Sequence, residues 1–136
     1  MAKTHVESKI LQEIVAIVIT GLGLLLFLAL ISYDPGDLGM YRNPPNEVVA
    51  NFIGPIGVYV AGGLVLFFGT AAYVVPLVMV AAGIRLIFAA AVKDYRLHLL
   101  WFALIVFSGC GLLQMLGLEV FPYAPYAGGM VGKFFA

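Results

Sequence analysis

Two histidines, one cysteine and seven acidic residues are the side chains from which this chain could build catalysis or metal binding, and their placement supports neither. His5 lies in the amino-terminal stretch and His98 opens a distant apolar run, so two imidazoles facing one another across a haem are not expected. No Cys, His and carboxylate cluster has metal-ligand spacing. Cys110 is alone, which excludes an internal disulfide, and its apolar surroundings fit a small buried thiol better than a reactive one. Gly132-Lys133 is followed by Phe134 instead of Ser or Thr and lacks the earlier glycine, so no phosphate loop is formed. Glu13, Asp34, Arg85 and Glu119 stand at the ends of apolar runs, whereas a proton or ion path places ionisable groups at bilayer depth. Tyr73 and Gln114 are polar within such runs, and bonding between helices is their expected use. No catalytic, cofactor-binding or metal-binding residue is expected.

The apolar runs themselves carry the information. Residues 14–33, 48–84 and 97–118 contain no Asp, Glu, Lys or Arg, giving uncharged stretches of 20, 37 and 22 residues. About 20 apolar residues cross a hydrocarbon layer roughly 30 Å thick. The chain has 136 residues, 63% hydrophobic and 10% charged, with a mean hydropathy of +1.08. That leaves too little polar surface to cover a soluble core of this size. Zero net charge offers no basic footprint, so no direct nucleic-acid contact is expected. The first run is longer than a secretory-signal core and no small-x-small cleavage pattern follows it, so it reads as a retained span.

Because lipid cannot satisfy backbone N–H and C=O groups, the spans are expected to be helices. The sequence predicts an all-α integral membrane protein with three transmembrane helices, a short interfacial helix and the start of a fourth span. A cytoplasmic tail covers 1–13 and the first span 14–33, stopped by Ser32-Tyr33-Asp34-Pro35-Gly36-Asp37. An outer loop covers 34–55; within it Val48, Val49, Phe52 and Ile53 fall at helical spacing, with Asn46 as N-cap, and predict the interfacial helix. The second span covers 56–84 with a kink at Pro76. A cytoplasmic loop covers 85–96, the third span 97–118, and an outer loop leading into a truncated fourth span 119–136. The fourth span is expected because Gly128-Gly129-Met130-Val131-Gly132 echoes Gly54-Pro55-Ile56-Gly57-Val58, which opens the second.

Lysine and arginine set the orientation. Lys3, Lys9, Arg85, Lys93 and Arg96 fall on one side and Arg42 and Lys133 on the other, which places the amino terminus and the 85–96 loop in the cytoplasm. Arg85, Lys93, Arg96 and the interfacial Trp101 are the topology anchors. Gly57, Ala61, Gly62, Gly69, Ala72, Gly109 and Gly111 are the candidate helix-packing positions, since small residues let helix backbones approach closely.

Two segments resemble a known family. Ile31-Ser32-Tyr33-Asp34-Pro35-Gly36-Asp37 and Asn51-Phe52-Ile53-Gly54-Pro55-Ile56-Gly57-Val58-Tyr59-Val60-Ala61, continued by Leu66-Phe67-Phe68-Gly69 and Gly83-Ile84-Arg85-Leu86, resemble the amino-terminal membrane domain of FtsK/SpoIIIE-type DNA translocases. The resemblance covers about residues 10 to 133 and ends at the start of the fourth span. It implies a multi-pass domain of the bacterial inner membrane that serves as a non-catalytic anchor and oligomerisation module in cell division and chromosome segregation. In that family the domain tethers a cytoplasmic hexameric ATPase, none of whose motifs occur in this sequence. The expected partners are membrane lipids and other transmembrane subunits or further copies of the chain, and no cofactor is implied. The alternative from a different class is a stand-alone truncated homologue serving as an accessory structural subunit of a photosynthetic or respiratory assembly, where a bound lipid or pigment would be expected.

Overall fold

The computed structural model describes residues 2–88, 95–117 and 127–135. Helix α1 spans Ala2–Ile31, α2 Pro55–Phe68, α3 Val74–Phe88, α4 Tyr95–Leu116 and α5 Gly129–Phe135, with short 3-10 turns at Pro35–Asp37 and Gly69–Tyr73. No strand occurs among the described residues. Lys9–Ile31 and Pro55–Phe88 are long and apolar enough to cross a membrane, and Ala103–Leu116 is a shorter apolar helix. A soluble core helix would be enclosed, yet Leu11 and Ile17 are each 65% exposed, and Ile14, Leu22, Leu25 and Leu28 are exposed with them. Lipid is the environment that makes this surface favourable.

The helix boundaries correct several expectations. The predicted 1–13 tail is helical from Ala2, because no Pro or Gly separates it from the apolar run; α1 then ends at Ile31. No interfacial helix forms at residues 44–53. Its backbone donors are captured by side chains instead: the Asp37 carboxylate accepts from Ala50 N–H at 2.9 Å and Asn51 N–H at 3.2 Å, and Asn51 Oδ1 accepts from Ile53 N–H at 3.0 Å. Asn46, expected as an N-cap, donates to Asp37 Oδ1 and accepts from Arg42. The second span is not one kinked helix over 56–84. It breaks at Gly69, whose φ is 57°, and Pro76 lies in the first turn of α3, where its missing N–H leaves no bond unmade. α3 continues to Phe88, past the predicted boundary, and α4 starts at Tyr95; residues between them, Lys93 included, lie outside those described, as do 118–126 of the final outer loop.

α1 and α3 form the largest interface and run antiparallel. Tyr73 Oη donates to Leu30 O at 3.3 Å at one end, and Gln12 Nε2 donates to Leu86 O at 2.8 Å at the other. Between them Ala16, Thr20 and Gly23 meet the face of α3 that carries Met79, Val80 and Gly83. A Cβ at Gly83 would collide with Thr20 Oγ1, and one at Gly23 would lie 2.9 Å from Val80 Cγ2, so the two glycines set the spacing of this pair. Thr20 sends its hydroxyl back to Ala16 O at 2.8 Å, which keeps the seam free of unpaired polar groups.

α2 does not extend the line of α3. Its first turn reaches the Ala29 level of α1 through Gly57, which abuts Asn51, and Asn51 Nδ2 donates to Ala29 O at 2.8 Å. Further along, Ala61 and Val65 join Ala29, Leu30 and Ala72 in one buried cluster. Both ends of α2 therefore stay near the Ile31 end of α1, and the helix crosses that end. The remaining stretch, five residues of 3-10 turn and fifteen of α3, has a length of roughly 32 Å, enough for the hydrocarbon layer.

Candidate functional site at the helix junction

Two knots of backbone and side chain hold these helices together. The first joins the end of α1 to the start of α2. Ser32 Oγ donates to Leu28 O at 2.7 Å and accepts from Phe52 N–H at 2.9 Å. Asp34 accepts from Gly36 N–H at 2.7 Å and so closes the 3-10 turn that aims Asp37 back at the chain. Asp37 then takes three donors, from Asn46, Ala50 and Asn51. Asn51, only 5% exposed, passes the connection on to Ala29 O. The segments 31–37 and 51–61, distant in sequence and similar to one family, thus bond directly to each other.

The second knot is the crossing of two glycines. Gly69 and Gly129 both have positive φ, 57° and 63°, and a Cβ on either would run into the other's backbone. Thr70 N–H donates to Ala127 O at 2.9 Å across the same crossing. Cys110 Sγ lies 3.8 Å from Phe68 O, to which it donates, and Gly128 N–H reaches Gln114 Oε1 at 3.1 Å. Gly128 and Gly132 both abut the Cys110 carbonyl. Ala71, Val106 and Cys110 form the buried centre, with Phe68, Val74, Leu113 and Val131 around it. Here the start of α5 and the upper half of α4 are fastened to the break between α2 and α3.

The predicted packing positions divide in two. Gly57 faces Asn51 and Ile53, Gly62 faces Leu38 and Tyr33, Ala61 and Ala72 lie in the cluster at the end of α1, and Gly69 lies in the glycine crossing. These five pack within the chain. Among the described residues, a Cβ at Gly109 or Gly111 would meet nothing within 4 Å. Of the topology anchors, Arg85 is exposed near the end of α3 and Trp101 is 59% exposed on α4, which also carries Arg96. Sequence reasoning missed Asp37, Asn51, Gly83 and Gly129 as organising residues. The Asp37 role was signalled by a turn rich in Asp, Pro and Gly directly after an apolar run. Among the described residues no group of three His, Cys, Asp or Glu could hold a metal ion.

The family model describing the 4TM region of DNA translocase FtsK/SpoIIIE matches residues 8–136. The chain belongs to this family. The DNA translocase FtsK of Shewanella oneidensis is 29% identical over 114 residues, a stretch covering 79% of this chain and 12% of that protein. No solved structure gives a significant match. The chain is therefore an FtsK-type membrane domain, spanning a small fraction of the length of the relative it matches, and the matched region is the membrane region of such translocases. Both knots fall inside the matched residues, so the hydrogen-bonded turn and the glycine crossing belong to the part that this chain shares with the FtsK/SpoIIIE membrane regions.

Gly69→Ala and Gly129→Ala should each cost roughly 3 kcal/mol, combining left-handed backbone strain with overpacking. Gly109→Ala should change little. Thermal unfolding in mild detergent followed by circular dichroism checks this, and equal melting of all three variants would contradict it.

Proposed function

We propose that this FtsK-type domain is a non-catalytic membrane anchor and oligomerisation module of a septal DNA translocase acting in cell division and chromosome segregation. The observation that carries the proposal is the match of residues 8–136 to the membrane region of such translocases. The relative's name assigns DNA translocation to a protein of which this region is a small part, so the anchor role divides labour between an apolar region and the remainder. In this reading the chain contacts lipid and other transmembrane helices and leaves nucleic acid to the rest of the translocase. Its own surface of action is helix packing.

The charge pattern supports a multi-pass arrangement in the bacterial inner membrane with the amino terminus in the cytoplasm. The Gln12 to Leu86 bond draws the beginning of α1 and the end of α3 together, so that Lys9 and Arg85 share one end of the helix pair. Asp34, Asp37 and Glu47 follow α1 at the other end, with Arg42 as the one basic residue between 32 and 54. A short α2 across the end of α1 returns the chain to the side on which it left, after which α3 crosses back. α4 and the segment begun by α5 then serve as the third and fourth crossings. Gly109 and Gly111, open on α4, supply a close-approach face for a neighbouring helix.

Val48→Cys, at a position 81% exposed, should react with an impermeant thiol reagent in intact cells, and Arg85→Cys only after permeabilisation; buried Cys110 supplies the unreactive baseline. Labelling of Arg85→Cys from outside would refute the orientation. Separately, Gly109→Leu combined with Gly111→Leu should shift the detergent-solubilised protein toward monomer while leaving its melting unchanged. An unaltered native mass would remove α4 from the assembly surface.

A further inference from the structure

Pro55–Phe88 is one apolar stretch of 34 residues, divided into α2 and α3 only at the 3-10 turn Gly69–Tyr73. Its local sequence suits a single helix. Residues 64–75 carry no charge, and Gly69 is the one Gly or Pro among them. A lone glycine lowers helix preference without forbidding a helix. Pro76 would bend such a helix and leave Ala72 O without its i+4 donor, a defect that membrane helices tolerate. The break at Gly69 therefore needs a tertiary cause, and its contacts supply one.

In an unbroken helix Thr70 N–H would donate to Leu66 O, and Phe68 O would accept from Ala72 N–H. Here Thr70 N–H donates to Ala127 O at 2.9 Å, and Phe68 O accepts from Cys110 Sγ at 3.8 Å. Gly69 N–H keeps its helical partner, Val65 O, so the exchange begins at the next donor. The backbone at Gly129 fills the space where a Gly69 Cβ would stand. The start of α5 is itself held on α4, by Gly128 N–H on Gln114 Oε1 at 3.1 Å and by the close approach of Gly128 and Gly132 to Cys110 O. The same two backbone groups thus have two sets of partners: one lies within the helix, and the other exists only while α5 is seated.

We propose that the α2–α3 junction is a two-state device operated by α5. Seated on α4, α5 holds the junction broken; withdrawn, it lets α2 and α3 join in one helix bent at Pro76, with Thr70 N–H passing from Ala127 O to Leu66 O. Joining carries Ala61 and Val65 away from their cluster with Ala29 and Leu30. It also moves Gly57, which abuts Asn51, so displacement of α5 reaches the hydrogen-bonded turn after α1. Packed elements with two discrete arrangements transmit a movement in this way.

The test is the distance between spin labels at Ile56→Cys and Phe88→Cys, both exposed positions, in protein reconstituted in lipid nanodiscs. Cys110→Ser removes the native thiol and keeps a donor for Phe68 O. In this background the parent should show one distance of roughly 30 Å, and a joined, bent helix one of roughly 45 Å. A Cβ at Gly132 would lie 2.7 Å from Cys110 O, so Gly132→Ala lifts α5 from α4 without altering Gly69 and should move the distance to the longer value. Gly69→Ala, which disfavours the left-handed conformation directly, should do the same. Gly109→Ala should leave the parent distance in place. Circular dichroism separates joining, which retains helix, from unfolding, and if one of the two variants loses helix the other decides. A folded Gly132→Ala or Gly69→Ala that stays near 30 Å would overturn the proposal, because packing of α2 on α1 would then suffice to hold the break. Loss of helix in both variants, or a parent already near 45 Å, would overturn it as well.

Discussion

The backbone crossing between Gly69 and Gly129 is the constraint on which the rest of this membrane domain depends. The α1–α3 pair and the α4–α5 pair have little direct contact, and it is at this crossing that the second pair is fastened to the first. Only glycine lets two chains approach at this separation in a left-handed conformation without losing the packing around them. The hydrogen bond from Thr70 N–H to Ala127 O then satisfies a donor that the helix break would have exposed. In lipid, where no water can do that, a broken helix survives only where protein supplies the partner.

The same requirement shapes the turn after α1. Four side chains, Ser32, Asp34, Asp37 and Asn51, take up backbone donors from residues 36 to 53 and offer them fixed acceptors. That is why the segment is ordered without being helical. It also explains why 31–37 and 51–61, the stretches most like the translocase family, are found together: each contains the partners of the other. The resemblance in sequence reports one hydrogen-bonded object, and the match across 8–136 places that object within the FtsK/SpoIIIE membrane regions.

The all-helical class and the apolar runs were legible because bilayer thickness forces a length of uncharged sequence that composition alone reveals. Family membership was legible in the SYDPGD and NFIGPIG segments. Other features were not. Hydrophobic spacing in Val48, Val49, Phe52 and Ile53 resembled a helix face, but Asp37 outcompetes the helix for Ala50 and Asn51 N–H, and nothing in a local window shows a carboxylate thirteen residues away. Pro76 looked like the weak point of a long span, yet the chain breaks seven residues earlier at Gly69, where tertiary contact with Gly129 rewards a positive φ. Among small residues, type alone could not separate those packed inside the chain, such as Gly57 and Gly69, from Gly109 and Gly111, where a Cβ would meet none of the described residues within 4 Å. Gly83 and Gly23, which set the α1–α3 spacing, carried no stronger signal than their neighbours.

The most direct measurement is the distance between spin labels at Ile56 and Phe88, both exposed, in the protein reconstituted in lipid. A continuous helix across those 32 residues would separate them by roughly 48 Å. The contacts of Asn51 with Ala29 and of Leu86 with Gln12 tie the two labelled regions to α1 positions only 17 residues apart, so a crossing α2 predicts a distance of roughly 30 Å. A distance near 48 Å would contradict the broken second helix and, with it, the glycine crossing that joins the two pairs.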